Sequence, residues 1–364
     1  MKKNKTTLAI VFGGKSAEHE VSIISAQNIA RAIDKNKYNL VYAGIDKEGI
    51  LKSFAEKELL LLKKIPKEKD EKNDRILVPK IKNNNFYLHS LSDSKEIKID
   101  VVFPVLHGTY GEDGTFQGLC KMFGVPFVGS DILSSSVCMD KDFSKRLLRD
   151  AKIPVARFVV FNKSDKKNIS FSKIKTSLGL PFFVKPANLG SSVGISKVKN
   201  KNDFSKAIED AFIYDNKIII EEFIDGREVE CSVLGNDNPI CSVPGEILPT
   251  HDFYSYEAKY LDQNGARMEI PAKFSQTMIE KIQNMAIKAY KILGCEGMGR
   301  VDFFITKSNK IYINEINTIP GFTSISMYPK LFSASGIQYS KLIDKLIALA
   351  IEKHKNNALL KTDF

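Results

Sequence analysis

The 364-residue chain has no apolar run approaching the ~20 residues needed to cross a bilayer, so no membrane helix is expected. Its opening, Met1-Lys-Lys-Asn-Lys5, has the charge of a signal peptide. The apolar stretch that follows, Leu8 to Phe12, is too short for one and runs straight into Gly13-Gly14. Cysteine is sparse: Cys120, Cys138, Cys231, Cys241 and Cys295 are odd in number and have no CxxC spacing. They fit buried thiols in a reduced cytoplasm better than a disulfide frame or a zinc site. No internal repeat, low-complexity tail or Walker A order is present. The net charge of +11 comes from scattered lysines, densest over Lys63 to Lys82 where acids are mixed in. With no nucleic-acid module and no Arg-rich aromatic platform, a lysine-heavy surface explains that charge, and no nucleic-acid partner is expected.

What remains is a chain long enough for about two or three domains, with an ordinary 43% hydrophobic share. Thr7 to Phe12 reads as a buried strand, Glu20 to Ile33 as an amphipathic helix and Tyr38 to Ile45 as the next strand. This is a βαβ unit of an open α/β sheet. Residues 50–99 are polar and lysine-rich, an elaboration hung on that sheet. A strand over Ile99 to Leu106 ends in His107-Gly-Thr-Tyr-Gly-Glu112-Asp-Gly114, at the carboxyl end of the sheet where ligands gather. Farther on come strands over Phe182 to Lys185 and Ile218 to Phe223. A long polar loop over Gly245 to Gly265 and helices over Met278 to Leu293 and Tyr339 to His354 complete the reading.

Two stretches carry chemistry. Gly190-Ser191-Ser192-Val193-Gly194 follows a strand ending in Lys185, and such a loop offers backbone N–H groups and hydroxyls to phosphates; by itself it is equally a flexible turn. Arg300 to Asn317 reads as a hairpin turning at Ser308-Asn309. Its period of two points Ile311, Ile313, Glu315 and Asn317 the same way. A two-residue turn sets Asp302 opposite Glu315, and facing carboxylates repel unless a cation lies between them. With Asn317 the oxygens suit magnesium, although the same residues also make an ordinary solvated hairpin end.

In their order along the chain, several segments together resemble the D-alanine–D-alanine ligase family of ATP-grasp enzymes. They are Phe12-Gly-Gly-Lys-Ser-Ala-Glu18-His-Glu-Val-Ser22, Leu106-His107-Gly-Thr-Tyr-Gly-Glu112-Asp-Gly-Thr, Met139-Asp-Lys141, Val184-Lys185-Pro and Gly190-Ser-Ser-Val-Gly194. To these are added Tyr256-Glu-Ala-Lys259-Tyr260, Gly299-Arg300-Val-Asp302 and Asn314-Glu315-Ile-Asn317-Thr-Ile-Pro-Gly321-Phe-Thr-Ser.

The resemblance implies a three-domain ATP-grasp fold: an N-terminal open parallel α/β domain (1–140, with the insertion at 50–99), a central subdomain (141–225) and a C-terminal subdomain (226–364). It implies a cytoplasmic homodimer that joins two D-alanines with ATP for peptidoglycan precursors. Lys141, Lys185 and Ser192 resemble the phosphate-binding groups, and Glu221, Glu222, Phe223, Ile224 and Glu228 match the adenosine-binding stretch. Asp302, Glu315 and Asn317 match the ligands of two magnesium (or manganese) ions. Glu18, tied to Ser191 and Tyr260, resembles the acid that holds the first substrate's ammonium. Arg300 and the Gly321 N–H match the groups that stabilise a tetrahedral intermediate. His107, Lys259, Ser326 and Met327 fall at substrate-binding positions, Ser326 and Lys259 where the second substrate's carboxylate is held or covered, with the loop around Tyr254 to Gly265 as lid. Tyr260 goes with D-alanine rather than D-lactate as second substrate. Three positions depart from relatives: Glu222 where some have Lys, Ile325 where many have His, and Met327 where Leu is common.

Overall fold

A computed structural model describes residues 5–66, 75–190, 193–249 and 266–361. The chain opens with β1 (Thr6–Gly13), the helix His19–Ala32 and β2 (Tyr38–Ile45), paired parallel as a βαβ unit. The insertion adds β3 (Leu51–Phe54), antiparallel to β2. It then forms its own sheet of β4 (Leu77–Lys82), β5 (Asn85–Ser90) and β6 (Glu96–Lys98). The chain returns as β7 (Val101–Pro104), parallel to β1, giving the order β3-β2-β1-β7. The open sheet is therefore as read from sequence, with one antiparallel edge strand supplied by the elaboration.

A second sheet holds β8 (Phe158–Asn162), β9 (Phe182–Pro186), β10 (Ser196–Val198) and β11 (Lys217–Glu222), all antiparallel in the order β10-β9-β11-β8. The third holds β12 (Gly226–Leu234), β13 (Ile240–Cys241), β14 (Gly245–Pro249), β15 (Ala266–Glu269), β16 (Met298–Thr306) and β17 (Ile311–Asn317). The expected polar loop thus begins later than its composition suggests. Gly245–Pro249 is a strand because Ile247 is buried against Met327 and Leu331 while Glu246 is paired with Arg227. The pairing of β14 with β15 closes the base of the loop, whose residues 250–265 lie outside the described residues.

Helices fix these sheets in place. The helix Lys141–Asp150 starts at Asp140, whose carboxylate accepts the N–H groups of Asp142 and Phe143 and so satisfies donors of the first turn. The closing helix Tyr339–Ala358 buries Leu342, Ile343, Leu346, Ile347 and Ala350, one helical face. That face shares a core with Leu8, Ile10 and Phe12 of β1, so the end of the chain completes the hydrophobic core of its beginning. At ~2 kcal/mol for each large side chain, that seam is a major part of what holds the first sheet. Among the described residues no helix is long and apolar enough to cross a membrane.

Candidate active site

The hairpin of β16 and β17 differs from its sequence reading in an instructive way. Its connection has three residues, Lys307 to Asn309, with Asn309 at φ 61° and the Thr306 N–H donating to Lys310 O (3.0 Å). Ile305 therefore faces Ile311 and Phe303 faces Ile313, one step off the two-residue register. A bulge at Asn314 then absorbs the difference, so that Asp302 faces Glu315 and Arg300 faces Asn317 as expected.

The bulge also reverses the faces. Ile311, Ile313 and Ile316 enter one core with Val301, Phe303 and Ile305, so Glu315 and Asn317 do not share a face with Ile311 and Ile313 as the simple alternation implied. The carbonyl of Asn314, freed from the ladder, accepts from Lys145 Nζ at 2.8 Å.

Beyond the bulge lies a charged surface. In β12, Glu230 pairs in register with Asp302, so Glu230, Asp302 and Glu315 form a row of carboxylates across three strands. Arg300 answers them. Its Nε and Nη2 donate to the two oxygens of Asp302 (2.8 and 2.7 Å), and Nε lies 2.9 Å from Glu230 Oε2. Asn317 Nδ2 donates to Asp302 Oδ2 (3.1 Å), and Lys141 Nζ is 3.6 Å from Glu315. This donor set of two carboxylates and an amide at one strand end, beside a third carboxylate, fits a hard divalent cation.

The second sheet has the opposite balance. Lys185 in β9 and Glu221 in β11 are ion-paired, and the other oxygen of Glu221 lies 2.8 Å from Lys145 Nζ. Lys145 and Glu221 are almost wholly enclosed. Burial alone would raise the Glu221 carboxyl, but the two lysines outweigh it and hold it at about 2. Burial also pushes Lys145 below its ordinary range, against the pull of Glu221. Lys141 donates to Leu189 O (2.5 Å), beside the Gly190 loop.

Phe223 and Ile224 follow the end of β11, where Phe223 is exposed under Lys197 Nζ (4.1 Å from the ring centre). Glu228 lies half-buried in β12, between Ile247 and Phe304. The Glu222 carboxylate is turned to Arg157, accepting its N–H (2.8 Å) and its Nε (2.6 Å), and so is committed to that side chain.

The remaining cleft wall comes from the first domain and the segment after β17. Glu18, buried at the start of helix His19–Ala32, lies so near Gly108 that a Cβ there would sit 2.7 Å from its Oε2; Gly108 also has φ +76°. A Cβ on Gly190 would be 3.4 Å from the same oxygen, which brings Glu18 against the segment at Gly190. Glu112 shares the cleft. Burial, then the charge of Glu18, raises its carboxyl well above the usual range, against the Gly108 N–H that donates to it (2.8 Å).

His107 is held by protein at both ring nitrogens. Nδ1 is 3.1 Å from Ile319 O, a pure acceptor, so Nδ1 donates and the neutral Nε2 accepts from Ser25 Oγ (3.1 Å). Ser25 Oγ in turn accepts the Phe322 N–H (3.2 Å). Burial lowers His107 to about 4. His107 therefore anchors the segment carrying Gly321 while its ring edges the cleft.

Gly321 packs on Ser326, whose Oγ would lie 2.6 Å from an added Cβ; that oxygen accepts the Thr323 N–H (3.0 Å). Ile325 lines the cleft and Met327 is buried in its wall. Of the sequence-derived candidates, Ser191, Ser192, Lys259 and Tyr260 lie outside the described residues. Glu230 and Lys145 were not read from sequence. An acid alternating with apolar residues in Val229-Glu230-Cys231 was the available signal for the first, and a lysine on the same helical stripe as Lys141 for the second.

Comparison with known proteins accords with this geometry. Residues 7–130 match the family described as D-ala D-ala ligase N-terminus, and residues 147–348 that described as D-ala D-ala ligase C-terminus. The chain is 51% identical over 360 residues to D-alanine–D-alanine ligase of Oceanobacillus iheyensis, covering 98% of both. The D-alanine-D-alanine ligase from Coxiella burnetii superposes with a TM-score of 0.87 at 38% identity, over 97% of this chain and 96% of that one. The VanG D-Ala:D-Ser ligase from Enterococcus faecalis gives 0.83 at the same 38% identity, over 95% and 100%.

Proposed function

The chain belongs to the D-alanine–D-alanine ligase family, and on that premise we propose how its cleft carries out the ATP-dependent joining of two D-alanines for peptidoglycan precursor synthesis. A carboxylate is a poor acyl donor, so the first D-alanine's carboxylate takes the terminal phosphoryl of ATP, giving an acyl phosphate and ADP. The amine of the second D-alanine adds to the acyl carbon, and phosphate leaves as the amide forms. Phosphoryl transfer needs cationic partners for the oxygens. Lys185 and Lys141, with the Gly190 to Gly194 loop and Ser192, supply them from the central subdomain.

Asp302, Glu315 and Asn317 would hold magnesium or manganese, which would supply positive charge to the transferring phosphate. Phe223, Ile224 and the backbone at Glu221 and Glu222 receive the adenine. Glu228 serves the ribose.

Glu18 orients the first substrate by its ammonium, with Ser191 and Tyr260 as partners. Arg300 and the Gly321 N–H meet the oxyanion that develops at the acyl carbon. Ser326 and Lys259 receive the second substrate's carboxylate, and Met327 shapes the wall beneath them. His107, neutral at working pH, keeps Gly321 at its post. The acyl phosphate hydrolyses readily, and the loop around Tyr254 to Gly265, which resembles the family's lid, would exclude water. This reading takes the three domains at 1–140, 141–225 and 226–364. It makes the protein a cytoplasmic homodimer joined through the first domain, where ATP and D-alanine are supplied.

The observation that carries the reading is the meeting of Glu18, Arg300 and the acidic hairpin end in one cleft. The test is phosphate release from ATP and Mg²⁺ with D-alanine alone, with D-alanine plus D-lactate or D-serine, and with L-alanine, checking product mass. D-alanine alone giving the dipeptide is the expected result. Turnover only with D-serine or D-lactate would reassign the second substrate, and no turnover on D-alanine would overturn the reaction.

A further inference from the structure

We infer that Glu230 is a positioning residue for Arg300, holding the guanidinium in the cleft independently of Asp302. The inference rests on the reading of Arg300 as the oxyanion partner. Three observations carry it. First, Glu230 and Asp302 are directly paired on β12 and β16, and Arg300, two residues from Asp302 on the same face, reaches both; its Nε is 2.9 Å from Glu230 Oε2 and 2.8 Å from Asp302 Oδ1.

Second, Glu230 is buried, with only 9% of its side chain exposed, and lines the cleft. Its neighbour across β14 is Gly245, packed on Met327 and Leu331, so the surroundings on that side are apolar and the Arg300 charge acts on Glu230 with little screening. Third, Arg300 makes its paired contacts with Asp302, an oxygen donor that a divalent cation would claim. A guanidinium held by Asp302 alone would then be released without a fixed position. Glu230 supplies the second anchor, leaving the remaining donors of Arg300 to turn toward the developing oxyanion.

The substitution Glu230→Gln keeps size and hydrogen-bonding atoms while removing the charge. In the full-length protein it is expected to lower kcat by about 10- to 100-fold, the range seen when an outer partner of a catalytic group is lost. The KM for ATP should stay within about twofold, because Arg300 acts on the oxyanion and not in nucleotide binding. A phosphinate dipeptide analogue, which mimics the tetrahedral species, should bind more weakly by the same factor as kcat falls. Glu230→Asp, which keeps the charge on a shorter arm, should retain more phosphinate affinity than Glu230→Gln. It also serves if Glu230→Gln does not fold.

Arg300→Met separates the two readings. If it is inactive while Glu230→Gln keeps native kcat and phosphinate affinity, the role of Glu230 is overturned and that of Arg300 stands. If Arg300→Met keeps native kcat, the oxyanion role of Arg300 fails, and this inference with it.

Discussion

The surroundings of the second and third sheets have opposite charge balances. The second contributes Lys185 and Glu221, and Lys145 from the helix Lys141–Asp150 joins them, an excess of cation sealed from water. The third contributes Glu230, Asp302 and Glu315 around a single Arg300, with Lys141 at its edge. Each balance is costly without a ligand, since buried charges of one sign repel and lose hydration. Together they suit one ligand: a polyphosphate meets the lysines, and the divalent cations it carries meet the acids. The comparison teaches that the site is divided by sign between sheets, and that Lys145 joins the halves by touching both Glu221 and the bulge carbonyl of Asn314.

The sharpest way to break the comparison is to remove an acid from the third sheet. Glu315→Gln is expected to lower kcat by about 10³-fold or more, measured by phosphate release, because it strips a proposed metal ligand. Its thermal midpoint should not fall, because the row of facing carboxylates loses one repulsive member. A large loss of stability would mean that Glu315 is structural.

Next come the two lysines that flank Glu221, Lys185 of β9 and Lys145 of the helix Lys141–Asp150. Lys185→Met should weaken ATP binding by about 10²-fold by nucleotide titration, since Lys185 is the one proposed to meet phosphate. Lys145→Met should instead cost about 3 kcal/mol of stability in urea melts, by breaking a buried pair and orphaning the Asn314 carbonyl. Equal effects of both substitutions on ATP affinity would erase the division.

A smaller effect concerns pH. Burial holds His107 at about 4, below its ordinary value, so the unfolded chain takes up the proton first. His107 therefore contributes stability that is fully present above about pH 6.5 and is lost as pH falls toward 4. The expected loss between pH 7 and pH 5 is about 2 kcal/mol, and His107→Gln should remove that slope. An unchanged slope would show that His107 is not buried neutral. The smallest effect belongs to Glu222, whose carboxylate is spent on the exposed Arg157. Glu222→Gln should change ATP affinity by less than about twofold and stability by under about 1 kcal/mol.

Much of this was legible in the sequence where chemistry and strand ends coincide. The βαβ opening, the strand leading to Lys185 and the helix near Met278 stand close to where periodicity sets them. The facing of Asp302 and Glu315 was also legible, although for a partly mistaken reason. A longer turn and a bulge shift the register in opposite senses and cancel at that pair. Alternation cannot reveal such a bulge, because one added residue reverses every later side chain while the composition stays ordinary. Glu230 was hidden differently, as its importance comes from a neighbour some seventy residues away in sequence that only strand pairing brings alongside. The roles of Ser191, Ser192, Lys259 and Tyr260 rest on the resemblance alone, since all four lie outside the described residues.

The division of charge between the two sheets is tested most directly by titrating Mn²⁺ into the native protein and Glu315→Gln, each saturated with ATP, and counting tightly bound ions. The expected result is two ions per native chain and their loss in Glu315→Gln, with ATP itself still bound through Lys185 of the second sheet. Two tightly bound ions in Glu315→Gln, or loss of ATP together with the metal, would contradict it.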